Sequence, residues 1–145
     1  METMIPQLQI LGHIVLAMVL GGVIGFERER ADKPAGLRTH MLVAGSAALL
    51  VSISDIIALS ADIDSSLVRT DPVRIVEAII TGVSFLGAGT ILRRKEHGDV
   101  EGLTTAASLL FVAGIGIAVG VNQFILATGA VILGLIVLYL VKSVQ

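Results

Sequence analysis

Cysteine and tryptophan are absent from this sequence of 145 residues, and aromatic residues make up only 3% of it. Without cysteine, the protein has no disulfide bonds and no thiolate metal sites. Charged residues are also scarce, at 15% of the sequence, whereas soluble domains contain about 25%. The net charge is −2, and no basic stripe with interleaved aromatic residues occurs, so we expect no nucleic-acid partner. So little polar surface excludes a protein that is surrounded by water.

Long apolar runs are what the sequence contains instead, since 54% of its residues are hydrophobic. Five runs each approach the roughly 20 residues that a helix needs to cross a bilayer. Apolar residues surround each run and do not form a single helical stripe. The sequence therefore predicts one domain, residues 1–145, that is an all-α membrane protein with about five transmembrane helices. The predicted spans are Leu8–Phe26, Thr39–Leu59, Val73–Leu92, Leu103–Val121 and Gln123–Val141.

Lysine and arginine residues outside the spans predict the orientation in the membrane. Eight of the ten lie in segments 27–38 and 93–101 or follow the last span, whereas segment 60–72 contains three aspartates. Loops that are rich in Lys and Arg stay in the cytoplasm. We therefore predict that the N-terminus is outside and the C-terminus inside.

Two of the spans begin in a similar way, with Gly36-Leu37-Arg38-Thr39 and with Gly102-Leu103-Thr104-Thr105. Two interpretations stay open. The hairpins of spans 1–2 and 3–4 are parallel repeats related by an axis along the membrane normal, or the short strings match by chance. In either case the glycine ends a loop, and we expect Thr39, Thr104 or Thr105 to cap the free N–H groups of the new helix.

Glycines recur at positions that allow helices to approach closely in lipid, where small residues are a main source of helix association. One interpretation is tight packing within a single protomer. The other is that one face also joins protomers into a homo-oligomer, most simply a two-fold dimer, because closed two-fold assemblies are the commonest. The glycines concerned are Gly21, Gly25, Gly82, Gly87, Gly89, Gly116 and Gly120.

Glu77 is the main candidate for a functional ionisable group within a span, because such groups are costly in the bilayer. Arg74 lies three residues earlier on the same helical face. Asp71 and Pro72 are typical of a helix start, with Asp71 as the capping residue and Pro72 at the first position. Two interpretations of Glu77 stay open: it pairs with Arg74 near the outer interface, or it binds a cation or a proton in a polar pocket.

The charged residues around the first loop form a second candidate site. Glu27 and Glu29 lie at the C-terminal end of span 1, and Arg38 lies at the start of span 2. Each position opposes its helix dipole, at a cost of about 0.3–1 kcal/mol. We therefore predict that Arg38 pairs with Glu27 or Glu29 in a network that includes Arg28. Independent solvation of these charges is the alternative.

Sequence signatures of enzymes are missing, since there is no nucleophile elbow, no phosphate-binding loop and no carboxylate pair in a glycosidase-like context. We therefore expect no enzymatic activity and no cofactor. The sequence identifies no metal ligands, and a Mg²⁺ site stays a hypothesis.

Five motifs, in order over nearly the whole chain, resemble the MgtC/SapB family: residues 25–28, 35–39, 71–75, 82–91 and 102–107. The resemblance implies a multi-pass protein of the bacterial cytoplasmic (inner) membrane that is linked to growth in low magnesium, virulence and membrane energetics. Members of the virulence branch act on the F-type ATP synthase, which makes that enzyme an expected partner. The motif residues with implied roles in fold or function are Glu27, Arg28, Arg38, Thr39, Asp71, Arg74, Thr104 and Thr105.

The sequence departs from this family at three points. Many members continue into a soluble C-terminal domain, whereas this chain ends at Gln145. Gln is common where Glu77 stands, and the virulence branch tends to have Asn where Thr104 stands. Two functions stay open: a regulator or interaction protein of membrane energetics, and a small channel or transporter for Mg²⁺ or another cation.

Overall fold

The structure is a computed structural model, and it describes residues 4–60, 72–93 and 100–142. Those ranges contain five helices and one short antiparallel pair of strands. The helices are α1 (Met4–Arg30), α2 (Leu37–Ser60), α3 (Pro72–Thr90), α4 (Leu103–Gly120) and α5 (Phe124–Lys142). The strands β1 (Leu92–Arg93) and β2 (Val100–Glu101) lie between α3 and α4 in the sequence. The predicted all-α class is confirmed.

Four helices are long and apolar enough to cross a membrane, over Pro6–Arg30, Leu37–Ile57, Val73–Thr90 and Leu103–Gly120. Helix α5 is apolar over a shorter described stretch, Phe124–Tyr139. The third predicted span was two residues too long, because the backbone leaves the helix after Thr90 and pairs Leu92 with Glu101. The helices define a multi-span membrane protein.

Helices α1 and α2 pack closely because glycine removes side chains from their contact. A Cβ atom at Gly21 would lie 2.6 Å from the Cβ of Ala44, and one at Gly25 would lie 2.7 Å from the Cβ of His40. Such distances are too short for a side chain, so only glycine permits this spacing of the two helices.

Helix α4 packs on α2 in the same way. A Cβ atom at Gly116 would collide with the carbonyl oxygen of Ala44, and one at Gly120 would lie 2.9 Å from the Cβ of Val51. Helix α3 contacts α4 at Gly87, where a Cβ atom would lie 3.3 Å from that of Ala106. By contrast, Gly82 and Gly89 have no atom of a described neighbour within 4 Å. Five of the seven glycines from the sequence pattern therefore lie at helix contacts, and two face away from the bundle.

Candidate functional site

Buried polar residues gather at one end of the bundle, where α1 ends and where α2 and α4 begin. We call this the basic end. Glu27 and Arg28, in the last turn of α1, are each only 4% exposed. The Nε of Arg28 donates to Oε2 of Glu27, and this is the only salt bridge among the residues that the structure describes. A buried ion pair needs both partners, because losing one leaves an uncompensated charge in a poorly solvated place.

Glu29 connects the end of α1 to the start of α2. The backbone N–H of Leu37 donates to its Oε2 at 2.8 Å. The carboxylate thus caps α2 at the end where the helix dipole favours a negative charge. Gly36 leaves room for it, since a Cβ atom there would lie 2.7 Å from the same Oε2.

Arg38 does not join this network, contrary to the prediction. Its side chain is exposed, and among the described residues it forms no salt bridge with Glu27 or Glu29. Both carboxylates have nearer partners, since Glu27 pairs with its sequence neighbour Arg28 and Glu29 accepts a backbone N–H of α2. The unfavourable dipole position of Glu29 on α1 is offset by its favourable position on α2.

His40 is fully buried and joins α2 to α4 through hydrogen bonds. Its Nδ1 lies 2.9 Å from the carbonyl oxygen of Gly36, and its Nε2 lies 3.0 Å from Oγ of Ser108. A carbonyl oxygen only accepts, so Nδ1 carries a proton. Oγ of Ser108 also lies 2.8 Å from the carbonyl oxygen of Thr105. Sequence reasoning missed Ser108, although its position three residues after Thr105 on an apolar helix was a usable signal.

The three threonines do not cap helices, and this prediction is wrong. Thr39 lies within the first turn of α2, which Glu29 caps instead. The N-cap residue of α4 is Gly102, and no side chain caps that helix. Gly102 has a φ of 93°, and a Cβ atom there would collide with the carbonyl oxygen of Thr90, so this position requires glycine. Thr104 and Thr105 follow inside the first turn of α4.

A cavity of about 500 Å³ lies in front of the N-terminus of α4. We call it the α4 cavity. Its lining includes Arg28, Lys33, Gly102, Thr104, Thr105 and Val137. The cavity therefore has basic residues in its lining. It lies between Arg28 of the buried ion pair and the N-terminus of α4, which no side chain caps.

Glu77 lies on a different surface, away from the basic end. Both Glu77 and Arg74 are exposed on α3, and the described residues contain no salt bridge between them. Glu77 does not line the α4 cavity. Within this single chain, the described residues therefore show neither a pair of Glu77 with Arg74 nor a polar pocket around Glu77. Pro72 is the first residue of α3, as predicted, whereas Asp71 lies outside the described residues.

Metal-ligating side chains do not cluster in the described part of the chain. There, no group of three or more His, Asp or Glu residues is placed so that it can hold a metal ion.

Comparison with known proteins assigns this helical membrane protein to a family. The chain belongs to the MgtC family, whose sequence model matches residues 14–145. The family predicted from the motifs is therefore confirmed. No solved structure matches the chain.

Three similar relatives illustrate the range of the family. An uncharacterised protein of Haemophilus influenzae is 41% identical over 136 residues, which cover 94% of this chain and 57% of the relative. The Escherichia coli protein named "Putative magnesium transporter YhiD" is 38% identical, covering 87% of this chain and 57% of its own. Protein MgtC of Salmonella typhimurium is 42% identical, covering 83% and 47%. The chain spans about half the length of the curated relatives it matches.

Proposed function

We propose that this protein is a regulatory or interaction protein of the bacterial inner membrane that acts in magnesium-related physiology and membrane energetics. The family and the magnesium-related name of one relative support the physiological setting. The exposed polar face of α3 supports an interaction protein, because a protein partner would cover that face. The F-type ATP synthase is one membrane-protein partner of this kind.

Helix α3 is the least buried of the four candidate spans. Only 17% of its span is buried within the chain, compared with 56% of the span in α4. Four polar residues are exposed on it at spacings of three and four, which place them on one helical face. They are Arg74, Glu77, Thr81 and Ser84.

A polar face of this kind is unfavourable against lipid. Insertion scales give about 2.5–3.5 kcal/mol for a charged residue at the centre of a membrane helix, and the cost is smaller near the helix end, where Arg74 and Glu77 lie. Gly82 and Gly89 leave open space on α3, so another helix can approach its backbone closely. Association with a protein partner would cover both features.

A second copy of the chain is one partner that this face suits. In a two-fold dimer, parallel α3 helices would place Arg74 of each copy near Glu77 of the other. The same pair of residues on both copies would then form two salt bridges across the interface. This arrangement would make the protein a homodimer.

Crosslinking from α3 tests the proposal and identifies the partner. Phe85 is 82% exposed on α3, and a photoreactive benzoylphenylalanine there should give a protein adduct in native membranes. The same group at Ile125, which is also exposed but lies on α5, is the matched control. A product of twice 15.1 kDa would show a second copy, and a heavier product would show another membrane protein. Lipid adducts alone at both positions would contradict the proposal.

A small channel or transporter is the second candidate, and the name of the E. coli relative favours it. The buried polar side chains support the first candidate instead. Among the described residues, all but Ser52 of those side chains lie at the basic end, and Ser52 bonds to the carbonyl of Ala48 within its own helix. A Mg²⁺ flux assay in proteoliposomes separates the two functions. Saturable flux that Glu77→Gln abolishes would establish a transporter.

A further inference from the structure

We propose that the α4 cavity binds a phosphoryl anion, held by Thr105, Arg28 and the free backbone N–H groups of α4. The ligand chemistry is that of a phosphate monoester or diester, which a lipid headgroup and a soluble phosphate share. This binding site lies at the basic end and is independent of the α3 face.

Thr105 provides a hydroxyl on a buried residue, and this hydroxyl has no hydrogen-bond partner among the residues that the structure describes. The residue is 1% exposed and lines the α4 cavity. Its hydroxyl forms no hydrogen bond within the described residues, and only its backbone carbonyl is used, by Ser108. Every described side-chain N or O atom that is sealed from solvent has a hydrogen-bond partner. The hydroxyl is therefore not sealed, and it opens into the cavity that the residue lines.

Arg28 provides the positive charge. It is 4% exposed and also lines the cavity. Its Nε is used by Glu27, whereas its two terminal nitrogens have no acceptor among the described residues. The same reasoning as for Thr105 places these nitrogens at the cavity. The planar guanidinium matches the geometry of phosphate oxygens, and its two free nitrogens suit a bidentate contact.

The start of α4 adds backbone donors. The first turn bonds the N–H of Ala106 to the carbonyl of Gly102 at 2.8 Å. The N–H groups of Leu103, Thr104 and Thr105 have no acceptor in the described part of the chain, and no side chain caps the helix. Free N–H groups and the positive end of the helix dipole together favour an anion. At the N-terminus of α2, by comparison, an anionic group already accepts a free N–H, because the Glu29 carboxylate binds the N–H of Leu37.

Size and surroundings fit a phosphoryl group with a further substituent. The volume of about 500 Å³ exceeds what one phosphate needs, and Lys33 adds a second cation to the lining. Val137 and Leu138 of α5 form an apolar wall. Glu27 does not line the cavity, and its charge is paired with Arg28. Among the described lining residues, the cavity therefore combines a hydroxyl, three amide donors, Lys33, and Arg28, whose charge is shared with Glu27.

The test measures binding to the purified full chain in two arms. In the first, inorganic phosphate is titrated at constant ionic strength against chloride, and binding is read from the thermal unfolding midpoint. In the second, the delipidated protein is mixed with phosphatidylglycerol or with diacylglycerol, which lacks the phosphate, and native mass spectrometry counts retained lipid. Saturable binding in the first arm identifies free phosphate, and selective retention in the second identifies a lipid headgroup.

The variants assign the binding to this cavity. Thr105→Val removes the hydroxyl at nearly constant volume and should weaken binding about tenfold, because hydrogen bonds to charged groups are strong. Lys33→Gln should weaken it severalfold. Arg38→Gln removes an exposed cation at the same end but outside the cavity, and it should bind like the wild type. If Thr105→Val fails to fold, the comparison of Lys33→Gln with Arg38→Gln tests the site, and only Lys33→Gln should then weaken binding.

Two outcomes would overturn the proposal. One is that the wild type binds neither inorganic phosphate nor phosphatidylglycerol. The other is that folded Thr105→Val and Lys33→Gln bind as tightly as Arg38→Gln. Neither outcome depends on crosslinking from α3, so the anion site and the proposed interaction function fail separately.

Discussion

Glu29 lies on α1, but its carboxylate caps α2, because it accepts a hydrogen bond from the backbone N–H of Leu37. Losing an N-cap side chain costs about 0.5–2 kcal/mol. We therefore expect Glu29→Ala to lower the thermal unfolding midpoint in mild detergent. Arg38→Ala changes a charge nine residues away without removing a described contact, and it should leave the midpoint nearly unchanged. Equal effects of the two variants would mean that Glu29 does not act as a cap.

The buried pair of Glu27 and Arg28 predicts a larger effect. Replacing one partner of a buried ion pair costs about 3–5 kcal/mol, whereas replacing both with apolar residues of similar volume is often neutral. We expect Glu27→Leu and Arg28→Met each to destabilise the protein strongly, and the double variant to be more stable than either single one. A double-mutant cycle on unfolding midpoints measures this coupling. Additive effects would show two independent charges.

At the scale of the elements, α2 and α4 depend on a contact that only glycine permits. A Cβ atom at Gly116 would collide with the carbonyl oxygen of Ala44, whereas one at Gly114 meets nothing within 4 Å. Overpacking costs typically about 1–3 kcal/mol. Gly116→Ala should therefore lower the unfolding midpoint, and Gly114→Ala, on the same helix, should not. If both variants are equally stable, the spacing of α2 and α4 adjusts to a side chain.

The helices were predictable from sequence because each apolar run carries its own signal of length and composition. The partners of charged side chains were not predictable in the same way. The dipole argument placed Arg38 near two carboxylates, but it did not identify the backbone N–H of Leu37 as a competing donor. Likewise, His40 and Ser108 are 68 residues apart, and only the packing of α2 on α4 brings them together.

The threonine motif shows a second limit. Gly102-Leu103-Thr104-Thr105 correctly predicted a helix start, since α4 begins at Leu103. Its cap was misassigned, because capping requires the hydroxyl to precede the first turn and both threonines lie within it. The predicted span already began at Leu103, so the N-cap position falls on Gly102, and the error lay in assigning a capping role to threonines that follow it.

At the scale of the whole molecule, the orientation in the membrane stays a prediction. Lys33 follows α1 at the basic end, and Asn122 lies in the turn between α4 and α5. The native chain has no cysteine, so single-cysteine variants are labelled without background. In intact cells, an impermeant thiol reagent should label Asn122→Cys and should leave Lys33→Cys unlabelled. The reverse pattern would place the N-terminus inside.

The uneven burial of the helices also has a consequence for how the molecule moves. Helix α2 contacts both α1 and α4 at glycine positions, whereas α3 is buried over only 17% of its span. Segments with few buried contacts open at the lowest free energy. In hydrogen exchange, the amides of α3 should therefore lose protection before those of α2. Helix α3 is then the part of the bundle that can shift its tilt while the other helices keep their spacing.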